Sequence, residues 1–401
     1  LHRSLIVIYW RQMRWVFLSF AVLLSSLSSL IWVPAWHVLV WQAALLAGEF
    51  GHYLGLVALL LVCVVIAYGV VVVEPDQPYW GVGSVTLVLA LLATGLLFTP
   101  TGYAIQVAQR LPAQMEAAFG EKPASFRSLN LRRMWIPLPA VERVAVTTHT
   151  FTPSDWPEAL QLDFYPTAAP DAPVVVVVHG GGWDSGDRDQ ITPFNHWLAG
   201  QGYNVAAISY RLAPQYPWPA QRDDTLQAIT WLKANAAELG VDATRIVLMG
   251  RSAGAQIAGA VAYAANDPAV RGFIGLYGVY DMSFVWSISR SDDVLNSIKL
   301  MDQFLGGAPT PVNQADYDSA SAQGLVRPDQ TPPTLLLHGT VDTLCWVKHS
   351  QRLADQLGKA AVPHAFIELP WAVHAFDYNL TGPGGQITTY AVKEFLRTTC
   401  R

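Results

Sequence analysis

Gly250-Arg251-Ser252-Ala253-Gly254 is the stretch whose reading decides the fold. It falls between a short apolar run, Arg245–Met249, and an alanine-rich run, Ala253–Ala264. The first run has strand character and the second helix character. A G-x-S-x-G motif between a strand and a helix is a nucleophile elbow. The flanking positions must be small there, because the serine sits in a sharp, strained turn. Its hydroxyl then projects beyond the sheet edge instead of into the core.

Working outward, Val174–Val178 is a continuous β-branched run, as expected of a strand buried on both faces. His179-Gly180-Gly181-Gly182 follows it. Glycines there let bare backbone N–H groups approach a ligand closely. A serine nucleophile needs such donors for the oxyanion of its tetrahedral intermediate. Gly181 and Gly182 are expected to supply two of them and Ala253 a third, with Gly180 shaping the turn.

Thr334–His338 reads as another buried strand, with Asp342 in the loop after it. Ala365–Leu369 reads as a further strand, followed by His374. The chain order Ser252, Asp342, His374 is that of an α/β-hydrolase triad. An imidazole must take the serine proton during attack, and a carboxylate must fix the tautomer of that imidazole. Rivals exist: His338, His349 and His364 among the bases, and Asp281, Asp292 and Asp293 among the acids. His338 lies inside an apolar run and reads as a core residue, and none of the three acids ends a strand.

On these residues the chain resembles the hormone-sensitive-lipase-like and bacterial carboxylesterase branch of the α/β-hydrolases. The resemblance runs from about Leu160 to Arg401. It is carried further by Ser209–Pro214, Trp218-Pro219-Ala220 with Asp223 and Asp224, Gly240–Ile246, Phe304–Gly307 and Pro332–Leu335. Ser252–Ala255 is also similar to membrane-bound prenylcysteine methylesterases. Arg251 departs from the family pattern, which often has Asp, Glu, Gln or His there. The resemblance implies a mostly parallel α/β sheet and ester hydrolysis through an acyl-enzyme. Arg211 reads as a structural clamp on nearby carbonyls, Asp223 or Asp224. The long excursion from Met282 to Gln330 is either a lid or an ordinary helical connection.

Of the 401 residues, 52% are hydrophobic, and the excess lies almost wholly before Pro100. Trp15–Val33, Trp36–Gly48, Tyr53–Val73 and Gly81–Phe98 are apolar with almost no charge. Segments near 20 apolar residues are long enough to cross a bilayer. An N-terminal transmembrane helical bundle of three or four spans is therefore expected over residues 1–100. A linker or interfacial helix would follow over 101–140, and the α/β-hydrolase domain over 141–401. The second span requires Glu49, Gly51 and His52 to form a solvated hairpin. Val141–Thr150 and Leu160–Tyr165 read as the antiparallel first strands, with Pro137 and Pro139 at the boundary.

Arg3, Arg11 and Arg14 precede the first span, and Arg110, Lys122 and Arg127 follow the last. Glu74 and Asp76 lie between the last two. Basic residues on both flanks favour an even number of crossings, a multi-pass cell-membrane protein and a cytoplasmic catalytic domain. The net charge of −5 points to no nucleic-acid partner. Cys63, Cys345 and Cys400 show neither metal spacing nor a disulfide pattern, and no phosphate-binding loop is visible, so no cofactor is expected. The expected partner is a small-molecule or lipid ester. Acyl transfer or deacylation on lipid or envelope glycan esters is the alternative, and a non-catalytic membrane receptor a third.

Overall fold

The structure is a computed structural model that describes residues 2–72, 80–125, 127–136 and 142–401. Its centre is an eight-stranded sheet in the order β1-β2-β4-β3-β5-β6-β7-β8. The strands are β1 (Thr147–Thr150), β2 (Gln161–Tyr165), β3 (Ala172–Val178), β4 (Asn204–Ile208), β5 (Val241–Arg251), β6 (Val270–Leu276), β7 (Thr334–Gly339) and β8 (His364–Leu369). The β1–β2 and β2–β4 pairs are antiparallel, and every other pair is parallel. The first expected strand is shorter than its sequence pattern. Val141, like Pro137 and Pro139, lies outside the described residues.

Alternation along β3 explains its unbroken valine run. Val174, Val176 and Val178 face one core, with the Ala253–Ala264 and Ala220–Ala234 helices. Val175 and Val177 face the other, with the Thr192–Gly200 and Pro383–Thr399 helices. A strand covered on both faces has no polar side to present, so the sequence shows none.

Four helices precede the sheet: α1 (His2–Ser29), α2 (Val38–Glu49), α3 (Gly51–Val72) and α4 (Trp80–Phe119). α1 runs along α4, with Ser25 Oγ donating to Leu89 O. The start of α3 packs closely on the middle of α4, where Gly51 leaves no room for a Cβ beside Leu97 O. Many large apolar side chains of these helices face outward, among them Phe20 on α1, Leu60 and Ile66 on α3, and Val88 and Leu92 on α4.

Three expectations change here. Among the described residues, two helices are long and apolar enough to cross a membrane, over Gly51–Tyr68 and Gly81–Phe119. Met13–Ser29 and Val38–Glu49 are shorter apolar helices, so three or four spans are not met by length. With 12 residues, α2 is only about 18 Å long against a hydrocarbon core of about 30 Å. It packs on the loop after β8 instead. Glu49 and His52 are not solvated hairpin residues: they are 2% and 1% exposed. Finally, residues 101–119 form no separate linker helix. They continue α4 through Pro100 and lie on the hydrolase domain, where Gln114 Nε2 donates to Phe366 O. Glu74 and Asp76 lie outside the described residues.

Candidate active site

All the functional candidates gather at the carboxyl edge of the parallel strands. Gly180 follows β3, Ser252 follows β5, Asp342 follows β7 and His374 follows β8. Ligands in open α/β sheets bind outside that edge.

Ser252 has φ 54° and ψ −123°, a conformation costly for a residue with a Cβ. The glycines around it are required by space. A Cβ on Gly250 would lie 2.2 Å from Gly254 O, and one on Gly254 would lie 2.2 Å from His179 O. The elbow is thus wedged against the end of β3, which is why the His-Gly-Gly-Gly turn and the serine are neighbours. Gly181 and Gly182 both have positive φ. Gly180 N–H donates to Gln190 Oε1 at 2.8 Å and is committed to the turn, as its shaping role requires.

His374 Nδ1 donates to Asp342 Oδ2 at 2.7 Å. Asp342 Oδ1 accepts from the N–H groups of Leu344 and Cys345 at 2.9 and 3.0 Å. Burial opposes ionisation of Asp342, yet its carboxyl is held below the usual range. The field of His374 and hydrogen bonds from His338 and His374 outweigh the desolvation. Asp342 therefore stays an anion, and the imidazole is oriented with its other nitrogen free for a proton.

Ser252 Oγ has Cys345 Sγ at 3.9 Å. Among the described hydrogen bonds none joins Ser252 to His374. In sites without substrate such bonds are commonly long or unformed. Burial pushes the Cys345 thiol up, so it is a neutral wall of the site and not a rival nucleophile.

The rivals fall away by geometry. His338 is fully buried, with Nδ1 on Ser350 Oγ at 2.7 Å and Nε2 on Cys345 O at 2.8 Å. It is a core residue as expected, but it also approaches Asp342 Oδ2 at 3.4 Å and supports it. His349 is pushed down to about 3 by burial first and by His338 second. His364 bonds its own strand entry at Val362 O. Asp281 caps the Met282–Ile288 helix, and Asp292 pairs with Arg290. Asp293 accepts from the N–H groups of Leu295 and Ser297.

Arg211 is the clamp that its context suggested. It pairs with Asp224 at 2.8 Å, whereas Asp223 pairs with Arg222. The Met282–Gln330 excursion packs as helices over the sheet, with Phe304 stacked on Trp183 at 4.3 Å. Leu300 reaches the site: its Cδ1 lies 3.0 Å from where a Cβ of Gly182 would be.

Several residues around His374 carried no visible signal in the sequence. Tyr277 lays its ring 4.4 Å from the imidazole, and its hydroxyl donates to Asp377 Oδ1 at 2.6 Å. Arg251 pairs with the same carboxylate. Trp41, from α2, donates to His374 O at 3.2 Å. The anomaly of an arginine before Ser252 was the one clue to this network.

Known proteins resemble this chain in sequence and fold. A family model described as BD-FAE matches residues 162–357. The chain is 32% identical over 240 residues to a probable carboxylic ester hydrolase, LipM, of Mycobacterium tuberculosis, covering 56% of this chain and 54% of that protein. It is 28% identical to the hormone-sensitive lipase of Bos taurus, covering 61% of this chain and 33% of that one. The chain thus spans about half, or less, of the length of these relatives. The crystal structure of esterase LipW from Mycobacterium marinum shares the fold, with TM-score 0.52 and 23% identity over 76% of this chain and 90% of that one. Fold, elbow and relatives together define an α/β-hydrolase. Within that class, the chain is most like the hormone-sensitive-lipase-like carboxylesterases in sequence.

Proposed function

We propose that this chain is a membrane-anchored serine esterase acting on hydrophobic carboxylic esters. The observation that carries the reading is the His374–Asp342 hydrogen bond of 2.7 Å beside the elbow serine. His374 Nε2 takes the Ser252 hydroxyl proton as Oγ attacks the ester carbonyl. The N–H groups of Gly181, Gly182 and Ala253 receive the oxyanion. Collapse expels the alcohol, which leaves with the proton from His374. Water, deprotonated by the same imidazole, then releases the acid from the acyl-serine.

Support for the anchor is the apolar surface of α3 and of the first half of α4, which form a hairpin of bilayer length with outward-facing aliphatic side chains. Exposed apolar area on this scale marks a lipid or protein interface. Support for a hydrophobic substrate is the position of α2. Its neighbour Trp36 and its own Leu39 are 67% and 65% exposed, while Trp41 touches the His374 loop. An ester dissolved in the bilayer surface would meet the site along this apolar rim.

The test is hydrolysis of p-nitrophenyl esters, from acetyl to palmitoyl, by the protein in nanodiscs. Ser252→Ala is expected to lower kcat by roughly 10⁴-fold or more. Retained activity in that variant rejects the mechanism. A long-chain optimum supports delivery from the bilayer, and a short-chain optimum rejects it.

A further inference from the structure

The loop between β8 and the Pro383–Thr399 helix carries His374, and it is held from outside by α2. Trp41 Nε1 donates to His374 O at 3.2 Å. Glu49, the last residue of α2, is buried in a cradle built by that loop. Its Oε2 accepts from Gly384 N–H at 3.0 Å and its Oε1 from Trp371 Nε1 at 3.4 Å. Asn379 Nδ2 donates to Glu49 O at 3.4 Å. The cradle exists because two positions lack side chains: a Cβ on Gly382 would lie 2.5 Å from Oε2, and one on Gly384 would lie 2.6 Å from Oε1.

Burying a carboxyl costs several kcal/mol unless it is satisfied or neutral. An anchor that only tethers the enzyme needs no such group, and an apolar residue would pack more cheaply. Here the carboxyl is spent on the two ends of the histidine loop: Trp371 three residues before His374, and Gly384 at the start of the following helix. The side chain and the Trp41 bond together hold the loop at three points.

We propose that Glu49 and Trp41 are positioning residues for His374, so that the catalytic site is complete only when α2 is docked. The inference rests on the reading of Ser252, Asp342 and His374 as a triad. Burial, aided by the negative charge of Asp377, pushes Glu49 up to about 8. It lies between the apolar hairpin and the hydrolase domain and is largely neutral at pH 7. Glutamine therefore reproduces its shape and one of its two acceptors, whereas alanine removes everything.

The experiment uses the full chain in nanodiscs, with p-nitrophenyl butyrate turnover and the rate of fluorophosphonate labelling as readouts. Both depend on the serine being activated by His374. Glu49→Ala is expected to lower kcat and the labelling rate by about 10- to 100-fold, as a misplaced catalytic group does, with KM nearly unchanged. Glu49→Gln, which keeps the shape and one acceptor, is expected to restore the greater part of both. Trp41→Phe keeps an aromatic side chain but removes one hydrogen bond, and should lower kcat about threefold to tenfold with only a small change in Tm. Glu238→Ala, at an exposed position before β5 and away from the carboxyl edge of the sheet, should change nothing.

Wild-type kcat in Glu49→Ala and Trp41→Phe overturns the inference. So does a loss in Glu49→Ala that Glu49→Gln fails to restore while Tm falls in parallel, because that pattern is structural support alone. If the wild type itself shows no Ser252-dependent turnover or labelling, the triad reading fails and the inference falls with it.

Discussion

Arg251 Nε lies 2.6 Å from Asp377 Oδ2, with both side chains sealed from solvent. One residue precedes the elbow serine and the other follows His374 by three positions. The ion pair therefore ties the strand that leads into Ser252, the proposed nucleophile, to the loop that carries His374, the proposed base. Tyr277 completes the clasp, with its hydroxyl on Asp377 and its ring against the imidazole. The guanidinium carbon sits 4.9 Å over the Phe194 ring, and Nη1 and Nη2 have no hydrogen-bond partner among the described residues. The pair is thus the principal compensation for burying that charge.

Removing one partner of such a pair leaves an uncompensated buried charge, a loss of about 3–5 kcal/mol. Arg251→Met and Asp377→Asn are each expected to destabilise the fold by that order and to lower kcat. The combination Arg251→Met with Asp377→Leu and Tyr277→Phe should lose far less than the sum. Denaturant unfolding in detergent checks this. Strictly additive losses would show that the three residues do not act as a unit.

The edge that carries the proposed site was legible because its constraints are local. Five residues fix the elbow, since Gly250 and Gly254 leave it no other shape, and the β-branched run before His179 marks the adjacent strand. Asp342 and His374 each follow an apolar run within five residues. The docking of α2 was illegible for the opposite reason. Hydropathy over Trp36–Gly48 reports apolarity and not the surface it meets, and Glu49 beside Gly51 and His52 resembles a polar turn. Its partners are more than 300 positions away, Trp371 at 322 and Gly384 at 335. The Arg251–Asp377 clasp, at 126 positions, was hidden in the same way.

Leu300 should set acyl preference. It comes from the excursion after β6 and closes on Gly182. Leu300→Ala removes a branched wall beside the proposed oxyanion donors and opens space for a longer acyl chain. One to three methylenes in an apolar pocket are worth about 1–3 kcal/mol each at most, so the ratio of octanoyl to acetyl kcat/KM should rise roughly tenfold or more. The p-nitrophenyl series checks it. An unchanged ratio would place the acyl group elsewhere.

Glu49 also predicts how stability varies with pH. Its carboxyl titrates at about 8 in the fold against an ordinary 4.5. Between those values the folded state holds a proton that the unfolded chain has lost, so stability falls as pH rises, by up to about 1.4 kcal/mol per unit, and levels off above about 8. Other buried groups act in other windows. Asp342, held below its ordinary range, contributes stability that is complete above about pH 4 and is lost on acidification. His349, pushed down to about 3, makes stability rise with pH only up to its unfolded value of 6.5. The interval from pH 6.5 to 8 thus isolates Glu49, whose charged neighbours are Asp377 and its partner Arg251. Tm of the wild type should fall across that interval relative to Glu49→Gln, which cannot ionise. Parallel curves for the two proteins would mean that Glu49 does not carry a raised pKa in the folded chain.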